Sequence, residues 1–336
     1  MAPRNLITDV AGVRVGHAQD ERLASGVTAI VFDEAAVASI DVRGGGPGTR
    51  ETDLLDPAMT VERIDGIALS GGSAFGLEAG GGVQAFLREQ GRGFKVREAT
   101  IPLVPGAILF DLLNGGDKNW GRFAPYQQLG YAAAASAAQD FALGSVGSGL
   151  GATTVNLKGG LGSASATTPD GITVGALAAV NAAGSAIIGN GPWFWAAPFE
   201  QAQEFGGLGQ PARVPPEALE FQTKGGARES TTLVVVATDA VLTKPQARRL
   251  VILAQTGLAR ALYPVHTPLD GDVVFSAATG RKPLGEPSLL ALSRIGALAA
   301  NVVARAIARA VFEAEPLRFP GALPGWRDKF SPESSQ

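Results

Sequence analysis

The sequence predicts a layered α/β fold. Residues 233–237 form an unbroken apolar run, LVVVA, which is rich in β-branched residues and too short for a buried helix. A strand of this kind needs cover on both faces, from helices or from a second sheet. Long apolar helical stretches lie on either side of it in the sequence. No repeat of roughly 20 to 50 residues is visible, which argues against solenoids and propellers.

Short apolar runs alternate along the chain with glycine-rich loops and alanine-rich stretches. The predicted strands cover residues 12–15, 27–32, 67–70, 174–180 and 233–238. The predicted helices cover residues 76–89, 129–142, 244–263 and 289–312. No linker divides the chain, so we expect one domain over residues 1–336, with an irregular loop at 198–228 that is either functional or disordered.

The helix predicted at 244–263 illustrates how these assignments are made. Thr243 is a favourable N-cap, and Pro245 falls in the first turn, where its missing N–H costs nothing. Apolar residues then recur at helical spacing from Ala247 to Ala261, and Pro264 ends the pattern.

Composition and charge exclude several classes of protein. The chain has no cysteine, which rules out disulfides, thiolate zinc sites and cysteine nucleophiles. Its net charge of -3 gives no reason to expect a nucleic-acid partner. The beginning of the chain lacks the apolar run of an export signal, so we expect a cytoplasmic protein. Residues 288–314 are long and apolar, but three arginines interrupt them, which predicts a core helix and no membrane partner.

The two histidines of the chain differ in their surroundings. His17 has no acidic or nucleophilic neighbours, and we interpret it as structural. His266 begins the segment HTPLDGD and is followed by Asp270 and Asp272, a set that suits several divalent ions. The alternative is a turn in which the two aspartates accept hydrogen bonds from nearby backbone N–H groups. Because no second histidine or helical glutamate completes a ligand set, we expect no metal and no cofactor.

Two glycine-rich segments resemble phosphate-binding loops only superficially. Residues 69–82, LSGGSAFGLEAGGG, run from a strand into a helix without the G-K-[ST] of a P-loop or a G-x-S-x-G around Ser73. Residues 144–154 lack the later acidic residue of a dinucleotide site. We therefore predict that both segments serve close packing of strands and helices. A loop of backbone N–H groups near an active site remains the alternative.

Three hydroxyl residues, Ser230, Thr231 and Thr232, stand between a glycine-rich loop and the buried strand. If the chain were cut here, a new α-amino group would lie beside its own side-chain hydroxyl. An α-amine has a reference pKa of about 7.7 to 8.0 and can take a proton from that hydroxyl near neutral pH. The alternative is that the three residues merely begin a strand.

Several long motifs occur together and in order: DVRGGGPGTRETDLL, LSGGSAFGLEAGGGV, PLVPGAILFDL, GSGLGATT with KGGLGSAS behind it, VGALAAVNAAG, STTLVVVATDA and PVHTPLDGD. Over nearly its whole length the chain resembles the N-terminal nucleophile hydrolases that comprise the L-aminopeptidase/D-esterase, the β-peptidyl aminopeptidases and the nylon-oligomer hydrolases. The resemblance implies a four-layer αββα sandwich. It also implies self-cleavage into a large chain, 1–230, and a small chain, 231–336, that assemble into homo-oligomers, often tetramers.

The same resemblance implies roles for individual residues. Thr231 corresponds to the nucleophile, so that the cut falls after Ser230, and Asn181 corresponds to the asparagine that stabilises the oxyanion. Asp270 and Asp272 correspond to two acidic residues that orient the nucleophile and its amine in the nylon-oligomer hydrolases. The implied activity is hydrolysis of small peptides or of amide and ester analogues from the N-terminus.

The chain departs from the family pattern at three positions, two of which, Phe110 and Asn156, we predict to bind substrate. Phe110 stands where some members have a tyrosine whose hydroxyl helps the oxyanion, and Asn156 stands where the nylon-oligomer hydrolases have a lysine. Lys158 is close to that position and is a candidate substitute. Ser230 replaces the asparagine that is common before the nucleophile.

Three alternative functions stay open at this point. The first is an endo-amidase of the nylon-oligomer (6-aminohexanoate) type. The second is an acyltransferase of the ornithine acetyltransferase type. The third is a binding protein that does not process itself.

Overall fold

The structure, a computed structural model, describes residues 3–222, 224 and 230–330. The strands are β1 (Val13–Asp20), β2 (Ser25–Val42), β3 (Thr49–Arg50), β4 (Arg63–Ser70), β5 (Phe94–Val96), β6 (Ala99–Ile101), β7 (Gly106–Ile108), β8 (Gly160–Thr167), β9 (Thr173–Asn181), β10 (Thr231–Ala240) and β11 (Val273–Lys282). The α-helices are α1 (Ala79–Glu89), α2 (Tyr126–Ala135), α3 (Lys244–Ala254), α4 (Thr256–Ala259), α5 (Ser288–Phe312) and α6 (Trp326–Phe330). Short 3-10 helices cover Ile7–Asp9, Asp53–Leu55, Ser73–Glu78, Gly147–Gly149, Ala197–Phe199 and Pro216–Leu219.

One long strand, β2, joins the two halves of the sheet. The hydrogen-bonded order is β3-β7-β4-β2-β11-β10-β9-β8, and β1 pairs with β2 beside this path. The first part of β2 pairs with β1 and β4, and its last part pairs with β11. Strands β10 and β11 are parallel, whereas β9 runs antiparallel to β10.

The buried side chains form three separate cores, which define four layers. In the first core, β8 to β11 pack against α3, α4 and α5. In the third core, β2 and β4 pack against α1 and α2. The core between them takes its strand residues from both halves of the sheet and none from an α-helix, so the two halves cover each other. The order of layers is therefore helix, strand, strand, helix, as the sequence predicts.

Strand β10 shows why its sequence is apolar throughout. Val234 and Val236 contribute to the core beneath the helices, while Leu233 and Val235 contribute to the core between the two sheet halves. Successive side chains of a strand point to opposite faces. Because both faces are covered, every residue of β10 is buried.

Glycines allow the outer helices α1 and α2 to approach each other closely. A Cβ built on Gly82 of α1 would lie 1.9 Å from the carbonyl oxygen of Gln127, and one on Gly130 of α2 would lie 2.1 Å from that of Ala79. The glycine-rich segment at 69–82 therefore serves close packing at its helical end. The sequence predicted close packing between strand and helix for this segment, whereas these contacts join two helices.

The predicted helix at 129–142 is wrong at both ends. Helix α2 begins at Tyr126 and ends at Ala135. The alanines that follow have good helix propensity, but Ala138 exchanges two backbone hydrogen bonds of 3.0 Å with Val15 of β1. Pairing with the sheet therefore overrides local propensity here.

The helix predicted at 244–263 is interrupted. Helix α3 ends at Ala254, and α4 ends at Ala259. The predicted N-cap is confirmed, since the Thr243 hydroxyl accepts a hydrogen bond from Gln246 N.

The predicted strands omit the long strands β8 and β11, the last part of β2, and the short strands β3, β5, β6 and β7. Strand β8 is made of glycine, serine, alanine, threonine and one leucine, a composition that carries little strand propensity. Its small residues are required by helix α5, because a Cβ on Gly162 would lie 2.0 Å from the carbonyl oxygen of Ala306.

Helix α5 is the one described helix that is long and apolar enough to cross a membrane. In the fold, 72% of its most apolar window is buried inside the protein. It packs on β8 and β9 as a core helix.

Candidate active site

The predicted cleavage position lies at the start of β10. Ser230 and Thr231 are both buried, with 3% and 4% of their surfaces exposed. The Thr231 hydroxyl donates a hydrogen bond of 2.6 Å to the Ser230 carbonyl oxygen. The same oxygen accepts a hydrogen bond of 2.8 Å from Gly271 N. Two donors thus polarise the carbonyl group of the peptide bond at the predicted cleavage position.

Only glycine fits at position 271. A Cβ built there would lie 2.6 Å from Thr231 Oγ1 and 2.8 Å from the Gly46 carbonyl oxygen. Gly46 N in turn donates to the Asp270 carbonyl oxygen at 2.8 Å, and Gly44 N donates to that of Asp272 at 3.2 Å. The glycine-rich motif DVRGGGPGTR therefore wraps the segment that carries both aspartates.

Asn181 ends β9 and is paired directly with Thr231 in the antiparallel ladder. Residues paired in this way project to the same face of the sheet. Asn181 Oδ1 accepts hydrogen bonds from Thr153 N at 3.0 Å and from Lys224 Nζ at 2.8 Å. Its Nδ2 donates to the Phe110 carbonyl oxygen at 2.9 Å. Because Oδ1 accepts from a backbone N–H, the amide can present only its NH2 end as a donor to a substrate.

Asp270 and Asp272 precede β11, which runs parallel to β10. Asp270 Oδ1 accepts from Ala183 N at 3.1 Å, and its Oδ2 accepts from the backbone and hydroxyl of Thr267 at 2.9 and 2.7 Å. Burial raises the pKa of Asp270, the charge of Asp272 raises it further, and the hydrogen bonds from Thr267 and Ala183 oppose the shift. Burial and the neighbouring carboxylate therefore both disfavour the charged form of Asp270.

Asp272 links the aspartate segment to β10. Its Oδ1 accepts from Thr232 N at 2.8 Å, and its Oδ2 accepts from His266 N at 3.1 Å and contacts His266 Nδ1 at 2.9 Å. The segment HTPLDGD thus forms a turn in which both aspartates accept from local backbone N–H groups, one of the two interpretations that the sequence left open.

The other residues singled out from the sequence lie around this cluster. Phe110 lines a cavity of about 280 Å³ together with Asp111, Leu113, Asn114, Gly115, Thr153, Lys224 and residues 319–323. Asn156 does not line the cavity. Its side chain contacts the Thr154 and Ser185 hydroxyls at 3.3 and 3.2 Å and the Gly189 carbonyl oxygen at 3.5 Å. Its described contacts therefore stabilise a loop rather than Asn181.

Lys158 is 1% exposed and donates to three backbone carbonyl oxygens. Burial lowers its pKa to about 7, the charge of Asp111 opposes this shift and that of Lys224 adds to it. His17 lies outside the cluster, with its ring nitrogens 3.1 Å from Thr28 Oγ1 and 3.2 Å from the Ala142 carbonyl oxygen. Burial lowers its pKa to about 4.

Sequence reasoning missed three groups of the site. Lys224 Nζ contacts Asn181 and also donates to the carbonyl and hydroxyl oxygens of Thr153 at 3.1 Å. Thr153 N and Gly271 N contribute as backbone donors. Backbone groups leave no signature in a sequence, and nothing in KGGAR indicates that its lysine folds back onto β9.

The family model of peptidase family S58 matches residues 5–322. The chain belongs to peptidase family S58. An uncharacterized aminopeptidase of Mycobacterium bovis is 43% identical over 346 residues, and the match covers 97% of this chain and 98% of the relative. A 6-aminohexanoate-oligomer endohydrolase of Kocuria sp. is 26% identical over 314 residues, covering 88% and 80% of the two chains.

Two solved structures share the fold. A beta-aminopeptidase of Burkholderia sp. superposes with a TM-score of 0.71 at 23% identity, covering 97% of this chain and 92% of the other. The L-aminopeptidase D-Ala-esterase/amidase of Ochrobactrum anthropi, described as a variant of the Ntn hydrolase fold, has a TM-score of 0.71 at 20% identity, with the same coverage. The S58 chain is therefore an aminopeptidase-like hydrolase with an Ntn hydrolase fold, which confirms the family and the fold that the sequence predicted.

Proposed function

We propose that this S58 peptidase cuts itself between Ser230 and Thr231, and that Thr231 then acts as an N-terminal nucleophile on small peptides and on amide or ester analogues. The observation that carries the proposal is the Ser230 carbonyl group. Its oxygen accepts from Thr231 Oγ1 at 2.6 Å and from Gly271 N at 2.8 Å, at the rigid end of a buried strand.

Self-cleavage proceeds in two steps. Thr231 Oγ1 attacks the Ser230 carbonyl carbon, the carbon–nitrogen bond breaks, and the hydroxyl proton passes to the Thr231 nitrogen, so that an ester replaces the amide and the nitrogen becomes an amine. Gly271 N–H stabilises the negative charge that develops on the Ser230 oxygen. Water then hydrolyses the ester, which leaves a carboxylate on Ser230 and both the hydroxyl and the amine of Thr231 free.

In turnover, the Thr231 amine accepts the hydroxyl proton while Oγ1 attacks the substrate carbonyl. The Asn181 amide, directly across the ladder, donates to the oxyanion through Nδ2. Asp270 and Asp272 lie beside the start of β10 and hold the ammonium that forms. The Thr231 ammonium gives its proton to the amine or alcohol that leaves as the scissile bond breaks. Water then hydrolyses the acyl-enzyme, which releases the acid product and restores free Thr231.

The cut is tested by mass. Cleavage yields a small chain of 106 residues and about 10.8 kDa and a large chain of about 23.5 kDa, scaled by length from 34.3 kDa. Thr231→Ala should leave one uncut chain without activity. Thr232→Ala is the matched control, since the Thr232 hydroxyl is buried without a described hydrogen-bond partner. Two fragments from Thr231→Ala, or active wild-type protein with no N-terminus at Thr231, would overturn the proposal.

The substrate class is tested with a panel. The aminopeptidase named in the 43% identical relative favours p-nitroanilides of α- or β-amino acids over 6-aminohexanoate oligomers, whose endohydrolase is 26% identical. Faster hydrolysis of the oligomers would establish the endo-amidase alternative. Product formation only in the presence of an amine acceptor would establish the acyltransferase alternative.

The proposal includes assembly of the cleaved units into homo-oligomers, as in the sequence-based expectation of a tetramer. The hairpin β5–β6 supports it, because Phe94, Val96 and Ile101 are 48%, 47% and 45% exposed on one small surface. Light scattering should give a mass several times that of one unit. A mass near 34.3 kDa would contradict it.

A further inference from the structure

Lys158 is a buried lysine whose Nζ lies within hydrogen-bond distance of three backbone carbonyl oxygens. Its Nζ lies 3.0 Å from the Gly149 oxygen, 2.8 Å from that of Ala152 and 2.6 Å from that of Gly159. Three carbonyls can accept together only from the ammonium form, because a neutral amine carries two hydrogens. Among the described residues no carboxylate lies within ion-pair distance of Lys158. A buried charge held in this way is costly unless it has a function or a structural need.

One of the three carbonyls connects Lys158 to the site. The Ala152 carbonyl and the Thr153 N–H belong to the same planar peptide group and point in opposite directions. The ammonium binds the oxygen end of this group, and Asn181 Oδ1 accepts from its nitrogen end at 3.0 Å. Hydrogen bonds in such a chain polarise one another, and a cation at the start makes the N–H a stronger donor.

The chain ends at the group that faces the nucleophile. A stronger bond at Asn181 Oδ1 fixes the orientation of the amide and draws electron density away from Nδ2, which makes the NH2 group a better donor. Asn181 is paired with Thr231 across the ladder. A donor aimed at developing charge in a buried site is worth far more than one in water.

We propose that Lys158 is a positioning residue of this peptidase, and that its ammonium acts through the Ala152 and Thr153 peptide group to orient and polarise the Asn181 amide for the oxyanion. This inference rests on the proposed function, since it assumes that Asn181 binds the oxyanion. It requires no contact between Lys158 and substrate.

A second buried lysine provides a matched control. Lys244, at the start of α3, also donates to three backbone carbonyls, those of Leu54, Met59 and Val61, at 3.0, 3.1 and 2.7 Å. It is 7% exposed, and no described hydrogen bond connects its three acceptors to Asn181. Removal of either ammonium should destabilise the fold, but only removal of Lys158 should change the chemistry.

The test compares Lys158→Met with Lys244→Met in the self-cleaved protein, using p-nitroanilide substrates and with kcat expressed per cleaved chain. We expect Lys158→Met to lower kcat by about tenfold or more with KM within twofold, because a transition-state interaction is lost. Lys244→Met should keep kcat within twofold. Lys158→Arg, which keeps the charge and the donors, should recover most of the lost kcat.

A peptide aldehyde gives an independent readout. Its adduct with a hydroxyl nucleophile carries an oxygen at the oxyanion position, so Lys158→Met should weaken its binding by about the same factor as kcat. Binding of the carboxylic acid product should stay unchanged. If Lys158→Met fails to fold, Lys158→Gln takes its place, since it keeps two donor hydrogens without the charge.

Two results would overturn the inference: an unchanged kcat in Lys158→Met, or equal losses of kcat in the two methionine variants. Either result would mean that Lys158, like Lys244, only stabilises the backbone carbonyls it contacts. Failure of the proposed function is a different outcome, because wild-type protein would then hydrolyse none of the substrates.

Discussion

Buried carboxylates lie at both ends of the parallel pair β10 and β11, and the two ends differ in whether a lysine pairs with them. At the far end, Asp239 accepts a backbone hydrogen bond from Thr173 and forms an ion pair of 2.9 Å with Lys282. At the site end, Asp270 and Asp272 lie two residues apart, and among the described residues neither has a lysine or arginine within ion-pair distance.

The two ends therefore differ in how far the buried negative charge is balanced by a lysine or arginine. The far end is a finished structural contact, in which a cation neutralises the buried anion. At the site end, burial and the charge of Asp272 raise the pKa of Asp270 beside a strand that begins with threonine. A cut before Thr231 would add an ammonium beside Asp270 and Asp272. The carboxylates of the uncut chain therefore complement the positive charge that the cut would create.

The largest effect is expected at Asn181, which we propose as the oxyanion donor of the site end. Asn181→Ala should lower kcat by roughly 100-fold to 1000-fold with little change in KM, because a donor used mainly in the transition state is removed. Turnover per cleaved chain is the measurement. Asn119→Ala, at an exposed asparagine, is the control. A loss confined to KM would mean that Asn181 binds substrate without stabilising the oxyanion.

A matched pair of substitutions tests the two ends directly. Asp272→Asn should lower turnover by about tenfold or more, equivalent to about 1.4 kcal/mol on the barrier, because it neutralises an anion that we propose to hold the Thr231 ammonium. Asp239→Asn at the far end should leave turnover within twofold. Equal losses from both substitutions would indicate damage to the strand pair rather than a role in catalysis.

The charge imbalance also predicts a pH dependence of stability. The raised pKa of Asp270 means that the unfolded chain ionises first as pH rises. The native uncut chain therefore loses stability from the unfolded pKa, about 3.9, upward through the folded one. Urea denaturation of Thr231→Ala between pH 4 and pH 7 should reveal this fall. Thr231→Ala/Asp270→Asn should show a smaller fall, because Asp65 and Asp111, whose pKa values burial also raises, still contribute to it. Parallel curves for the two proteins would contradict the prediction.

The smallest effect is expected for the cation at the far end. Lys282 is 45% exposed on its side chain, so Lys282→Met should lower the free energy of unfolding by about 1 kcal/mol or less. Activity should not change. A loss of activity without a loss of stability would mean that the ion pair at the far end affects catalysis at the site.

Much of the architecture follows from local pattern. The run LVVVA predicts a strand covered on both faces, and Thr243 predicts the start of α3, because burial and capping depend on residues near in sequence. Strand β8 was missed because it depends on a partner that is distant in sequence. Its small residues have meaning only against α5, more than a hundred residues away in the chain.

The sequence by itself determined the family, the layered fold and the residue types of the candidate site, because motifs such as STTLVVVATDA and HTPLDGD carry those residues in fixed order. Only the tertiary structure decided which groups meet. It brings Gly271 N to the Ser230 carbonyl and connects Lys158 to Asn181 through one peptide group. The physical reason is that these links run through backbone atoms, which every residue has and no sequence pattern distinguishes.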